Sequence, residues 1–220
     1  MKKLMTMMAM ACVATGAFAD WAGNQRYAEA NKTVEPGAVV LFGDSITDNW
    51  PKTRPDFFTE TKFVGRGISG QTTAQMLCRF RNDVINLKPK AVVILAGIND
   101  MAENNGPIKA EDVVGNLTSM CELAKANGVK VVLCSVTPAA NFPWRRQITD
   151  AVARIEGLNR QLKACADAQN IPWLDYNVLL NDGKGGMGDK ANDGLHPNAA
   201  GYTIMEGALL PFLTKLGLYE

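Results

Sequence analysis

The sequence predicts an α/β protein: a three-layer α/β/α sandwich with a five-stranded parallel sheet in the order 2-1-3-4-5. Three observations predict it. Short β-branched runs alternate with stretches of helical periodicity, and alternation of that kind builds βαβ units and a parallel sheet. Two of the runs, AVVILA and VKVVLCSV, are almost continuously apolar, as strands covered on both faces must be. The chain has 220 residues, 47% of them hydrophobic, which suffices for one domain with a sizeable core.

The chain opens MKKLMTMMAMACVATGAFAD. Lys2 and Lys3 form a basic start, an apolar stretch follows over 4–13, and Ala17-Phe18-Ala19 has small residues where a signal peptidase needs them. This reads as a signal peptide, residues 1–19, cut after Ala19; the expected product is exported, periplasmic or extracellular, with a single domain over 20–220. The stretch is too short to span a bilayer, so no stable membrane insertion is expected. Cys12 raises the alternative of a lipid anchor, although Ala9-Met10-Ala11 lacks the leucine-like residue such sites favour. With 23 basic and 22 acidic side chains, the chain stays close to neutral with or without the leader. That balance gives no footprint for a nucleic-acid partner.

The elements follow in order. Residues 21–34 suit a short amphipathic helix outside the sheet. The strands are expected at 38–42, 62–64, 91–96, 129–136 and 171–174. Leu77, Phe80, Val84 and Leu87 recur at helical spacing between the second and third. A helix over 110–126 should end near Gly128, a C-terminal cap. Ile148, Ala151, Val152, Ile155, Leu158, Leu162 and Cys165 mark the next helix, and Tyr202, Met205, Leu209, Phe212 and Leu216 the last. Right-handed crossovers then give the flavodoxin-like sandwich. Cys78, Cys121, Cys134 and Cys165 lie within apolar patterns and form no CxxC pair; buried thiols and disulfides are both open readings.

In such sheets, sites form beyond the carboxyl ends of the strands. Three polar stretches fall there. The first strand runs into Gly43-Asp44-Ser45-Ile46-Thr47, either a turn with a helix cap or a held nucleophile. The second is followed by Gly65-Arg66-Gly67-Ile68-Ser69-Gly70, whose glycines let a ligand approach the backbone, with Thr72 as the N-cap of the next helix. The third ends in Gly97-Ile98-Asn99-Asp100, where the Asn99 side chain can donate to negative charge. The only histidine is His196, in Asn192-Asp193-Gly194-Leu195-His196-Pro197. Gly194 and Pro197 make this a loop, and an Asp-x-x-His loop can bring the Asp193 carboxylate to the imidazole Nδ1–H. Asp193 as a simple helix cap is the plainer reading.

Taken together and in this order, the GDS of 43–45, Gly70, Asn99 and the terminal Asp193-x-x-His196 resemble the SGNH hydrolases, also called GDSL-type esterases or lipases. The likeness runs from about Val39 to Tyr202. The resemblance implies the flavodoxin-like fold and an ester hydrolase that works without a cofactor or metal. It makes Ser45 the nucleophile, His196 the general base and Asp193 its orienting carboxylate. It also makes Ser45, Gly70 and Asn99 the oxyanion donors. Asp44 is expected to brace the nucleophile turn, helped by Asp48 and Asp100, without being catalytic. Ile46 stands in place of the family's name-giving leucine, Gly65 where many members carry asparagine, and Gln71 where aspartate is frequent. The last two should alter the hydrogen bonds bracing the second loop.

Short-acyl esters on carbohydrates, acetyl above all, are the expected substrates, followed by lysophospholipids and thioesters. The loop over 137–147, TPAANFPWRRQ, follows the fourth strand and should overhang the same rim. Phe142 and Trp144 could there stack on a sugar, with Arg145 or Arg146 meeting an acidic substituent; a surface loop anchored by Trp144 is the plainer reading. Trp50 is a further wall candidate. The competing reading from another class is a binding module: the GDSIT loop could hold the phosphate of a flavin or nucleotide, or the domain could bind glycans without cutting them. Such a module leaves Asn99, Asp193 and His196 without a role.

Overall fold

The structure, a computed structural model, describes residues 20–220, so the leader and Cys12 lie outside the described residues. The elements run α1 (Ala28–Asn31), β1 (Val39–Gly43), α2 (Ser45–Thr53), α3 (Pro55–Thr61), β2 (Val64–Gly67), α4 (Thr73–Asp83), β3 (Ala91–Leu95), α5 (Ile98–Met101), α6 (Ala110–Ala126), β4 (Lys130–Cys134), α7 (Ala151–Ala168), β5 (Trp173–Leu174), α8 (Tyr176–Leu180) and α9 (Ala199–Lys215). The five strands are all parallel and lie in the order β2-β1-β3-β4-β5, as the sequence predicts. No helix among the described residues is long and apolar enough to cross a membrane.

Side chains alternate along each strand, so the sheet divides the apolar residues between two cores. Val40, Phe42, Val92, Ile94, Val131 and Leu133 face one core, filled from α4, α6 and α7 by Met76, Phe80, Leu117, Met120, Leu158 and Leu162. Val39, Leu41, Val93, Leu95, Val132 and Cys134 face the other, filled by Ile46, Trp50, Phe57, Tyr176, Tyr202, Met205 and Leu209. Each large side chain fully buried this way contributes roughly 1.5–3 kcal/mol.

Three expectations are corrected. Strand β2 is Val64–Gly67, not 62–64, because Lys62 sits in the left-handed region at φ 58° and ends α3 first. Strand β5 is cut to Trp173–Leu174 and pairs with β4 only through Leu133–Trp173 and Cys134–Leu174. Only Ala28–Asn31 of the expected 21–34 helix is helical. Helices α2 and α3 fill the gap between β1 and β2, and α2 begins at the helix cap that the sequence offered after Gly43. The four cysteines carry free thiols. Burial pushes Cys121 up to about 12 and Cys134 higher still, so both behave as apolar core residues.

Candidate active site

Strand β1 ends at Gly43, and the chain turns at once into α2, whose first residue is Ser45. The turn is tight enough to need glycine. A Cβ on Gly43 would lie 2.1 Å from Thr47 Oγ1 and 2.6 Å from the Leu95 carbonyl oxygen. Asp44 caps α2: its Oδ1 accepts from the Ile46 amide at 3.1 Å. Burial pushes the Asp44 carboxyl up to about 7, against the opposing pull of the Ile46 amide. Asp44 therefore braces the turn, as expected. Ser45 opens the helix, where backbone amides have no carbonyl a turn earlier to bond.

The loop before α9 carries the histidine to this serine. Ser45 Oγ lies 2.8 Å from His196 Nε2, and His196 Nδ1 lies 2.7 Å from Asp193 Oδ2. The other Asp193 oxygen accepts from the amides of Leu195, at 3.1 Å, and His196, at 2.8 Å. Burial pushes the Asp193 carboxyl up, but the two amides and the ring outweigh it and hold the group below the usual carboxylate range. Leu195 is fully buried and pins the loop. The Asn192 amide closes it by donating to the His196 carbonyl at 3.0 Å. Asn198, not Asp193, caps α9 through the Gly201 amide at 3.1 Å. From α9, Tyr202 Oη donates to the Ile46 carbonyl at 2.7 Å and locks the helix after the histidine loop onto the serine's helix.

The second loop passes close to α2. A Cβ on Gly67 would sit 2.1 Å from the Asp48 amide nitrogen, so glycine alone fits there. The Ile68 amide donates to the Gly43 carbonyl at 3.2 Å, and Ser69 Oγ donates to Asp48 Oδ2 at 2.7 Å. Gly70 is exposed at φ +80°, in the left-handed region that favours glycine. Thr72 caps α4 with a reciprocal capping box to Gln75. Gln71 is buried and does take over the bracing: its Nε2 donates to the Ala22 carbonyl at 2.7 Å, and its Oε1 accepts from Arg79 Nε at 2.6 Å. Arg79 is fully buried and also donates to the carbonyls of Arg66, at 3.0 Å, and Gly43, at 2.8 Å. One guanidinium thus ties β1, β2 and the second loop together.

Asn99 is the second residue of α5 and is 2% exposed. Its Nδ2 donates to the Gln71 carbonyl at 3.0 Å, and its Oδ1 accepts from Asn104 Nδ2 at 2.8 Å. Beside it, Asp100 accepts from the Thr73 amide at 3.0 and 3.1 Å and from Thr73 Oγ1 at 2.7 Å. Burial pushes that carboxyl up to about 6 despite these donors. The loops that follow β1, β2 and β3 are thus joined into one rim. Nothing in the sequence flagged Arg79 or Asn104. The pair Asn104-Asn105 before Gly106 reads as ordinary turn chemistry.

The wall candidates divide. Trp50 is 2% exposed, stacked on Phe57 and Tyr202 with its Nε1 donating to Glu206 Oε1 at 3.0 Å. Phe142 is fully buried in the other core. Both are core residues with no free face, which corrects the expectation that they line the site. Trp144 is 44% exposed and donates from Nε1 to Asn104 Oδ1 at 2.8 Å, which places it against the rim. Arg145 Nη2 reaches the Glu103 carbonyl at 3.3 Å, and Arg146 is exposed.

Esterase TesA of Pseudomonas aeruginosa is 31% identical over 191 residues, covering 81% of this chain and 88% of the relative. An acetylxylan esterase of Geobacillus stearothermophilus is 28% identical over 166 residues, 71% of this chain and 72% of that one. The crystal structure of a GDSL-like lipase from Bacteroides thetaiotaomicron superposes with a TM-score of 0.83 at 44% identity, covering 90% of this chain and 98% of that one. Residues 41–204 match the family model for GDSL-like lipases and acylhydrolases, and the chain belongs to that family.

Proposed function

We propose that the protein is an exported serine esterase that removes short acyl groups, acetyl above all, from carbohydrate esters. The observation that carries this reading is the continuous contact from Asp193 through His196 to Ser45, at 2.7 and 2.8 Å. Asp193 holds the proton on Nδ1, which leaves Nε2 free to take the serine proton. Ser45 Oγ attacks the ester carbonyl, and charge develops on the carbonyl oxygen. The Ser45 and Gly70 amides and Asn99 Nδ2 stabilise that oxyanion, and His196 then protonates the departing alcohol. Water, activated by the same imidazole, releases the acid from the acyl-enzyme.

Family membership and the esterase relatives support ester hydrolysis; the acetylxylan esterase relative favours acetyl groups on a polysaccharide. Trp144 supplies an exposed ring at the rim on which a sugar can stack, with Arg145 beside it for an acidic substituent. The basic start and small-residue cleavage pattern of 1–19 support export.

The test is turnover of p-nitrophenyl esters from acetate to palmitate, beside release of acetate from acetylated xylan and O-acetylated sialic acid. The expected result is a peak at acetate or butyrate, acetate release from at least one glycan, and phosphonylation of Ser45 by an organophosphonate. Ser45→Ala should abolish both turnover and labelling. Palmitate preference, or turnover surviving Ser45→Ala, would overturn the reading.

A further inference from the structure

We propose that Asn104 is a positioning residue that sets both outer oxyanion donors and couples them to Trp144. The proposal rests on Asn99 and Gly70 acting as those donors. A single carboxamide touches all three residues. Asn104 Nδ2 donates to Asn99 Oδ1 at 2.8 Å and to the Gly70 carbonyl at 3.1 Å, while its Oδ1 accepts from Trp144 Nε1 at 2.8 Å. The Asn104 backbone amide also donates to the Asn99 carbonyl, at 3.0 Å.

These bonds decide which way Asn99 points. A carboxamide has two ends of nearly equal shape, and only its nitrogen can stabilise an anion. The Gln71 carbonyl meets Asn99 Nδ2, and the Asn104 donor meets Asn99 Oδ1. Turning the amide over would face acceptor with acceptor and donor with donor. The observed orientation leaves the second hydrogen of Asn99 Nδ2 for the substrate. Gly70 has no side chain of its own to hold it, and at φ +80° nothing lies within 4 Å of where a Cβ would be. Asn104 supplies the tether that Gly70 lacks.

Asn104 is itself forced into place. The preceding residue, Glu103, has φ +56°, a left-handed conformation that a non-glycine side chain disfavours. Two arginines hold it there: Arg154 Nη1 binds Glu103 Oε1 at 2.6 Å, and Arg145 Nη2 binds the Glu103 carbonyl at 3.3 Å. Trp144 completes the arrangement. Its indole N–H is spent on Asn104 while the residue stays 44% exposed, so the ring available to the alcohol part of the ester and the donors that meet its carbonyl share one support.

The experiment is p-nitrophenyl acetate kinetics on the full chain, with thermal unfolding of each variant. Asn104→Ala should lower kcat ~10–50-fold, less than deletion of a donor itself, and leave KM within about threefold. Asn99→Ala combined with Asn104→Ala should fall less below Asn99→Ala alone than Asn104→Ala falls below the wild type, because the share that acts through Asn99 is already lost and only the Gly70 share remains. Merely structural damage would multiply instead. Trp144→Phe, which keeps a ring and removes the donor, should lower kcat about 2–5-fold at unchanged Tm. Wild-type kcat in Asn104→Ala, or fully multiplicative losses in the pair, would overturn the proposal. Should Asn104→Ala not fold, wild-type kcat in Trp144→Phe would overturn it. Turnover surviving Ser45→Ala would instead sink the esterase reading itself.

Discussion

Asp193 accepts three hydrogen bonds with one carboxylate, and each has a separate consequence. The amides of Leu195 and His196 fold the loop around it, and the imidazole Nδ1–H fixes one tautomer. Replacing Asp193 by Asn keeps the size and keeps an oxygen for the amides. It also permits the side-chain NH2 to donate to Nδ1, which would move the ring proton to Nε2 and disarm the base. Asp193→Asn should therefore lower kcat ~10²–10⁴-fold with little change in KM or Tm. Steady-state kinetics beside a melting curve check this, and activity within tenfold of wild type would remove Asp193 from the mechanism. Asn99→Ala should cost ~10²–10³-fold in kcat, also without unfolding. At this scale the polar site was legible because its residues punctuate the chain: a lone histidine, a GDS after a strand, an asparagine at a strand end. The aromatic residues were not, because a ring beside a motif can face either way. Trp50 did carry a signal. It stands four residues after Ile46, and that spacing puts both on the inner face of one helix.

Between residues and the whole molecule stands the brace under the rim. Arg79 projects from α4 to the carbonyls of Gly43 and Arg66, to Gln71 and to Asp83, with both charges fully buried. Removing one partner strands the other charge. Arg79→Met should destabilise the fold by about 3–5 kcal/mol, and Arg79→Met with Asp83→Leu should recover only part of that, because two strand-end carbonyls still lose their donor. Chemical denaturation of the three proteins checks it, and a single variant as stable as the wild type would show the brace to be dispensable. The glycines make a parallel contrast. Gly67→Ala drives a methyl into the Asp48 backbone and should cost about 2–3 kcal/mol, whereas Gly115→Ala, in α6 with open space around it, should add about 0.5–1 kcal/mol. The same elements explain what the sequence hid. Helices α2 and α3 read SITDNWPKT and PDFFTET, with prolines and weak helix formers, so packing against the sheet and β2 decides their state. Strand β2 carries two of its four residues as glycine, which erases β propensity where the start of α2 approaches closely. Strands β3 and β4 and helices α6, α7 and α9 were legible, because burial on both sides of a sheet leaves long apolar or periodic runs.

Across the whole molecule, the sheet keeps two apolar cores dry and gathers polar groups at one end, where several are buried as well. Burial raises Asp44 to about 7 and Asp100 to about 6. In the unfolded chain these carboxyls release protons near pH 4; folded, they keep them until pH 6–7. The folded state binds more protons in that window, so their stabilising contribution is full below pH 4 and is lost as pH rises through 6–7. Asp193 works in the opposite sense: its depressed carboxyl contributes above the ordinary carboxylate range and loses that as the pH falls through its folded value. Asp44→Asn isolates the larger of the raised groups. Asparagine keeps an acceptor for the Ile46 amide and has no charge to bury. Between pH 4 and pH 8 the unfolding free energy of the wild type should therefore fall by roughly 2–4 kcal/mol more than that of Asp44→Asn. Urea unfolding at several pH values measures the difference. Parallel pH profiles for the two proteins would mean that Asp44 is ionised in the folded state across the whole range, and that water or a cation reaches the floor of the turn before Ser45.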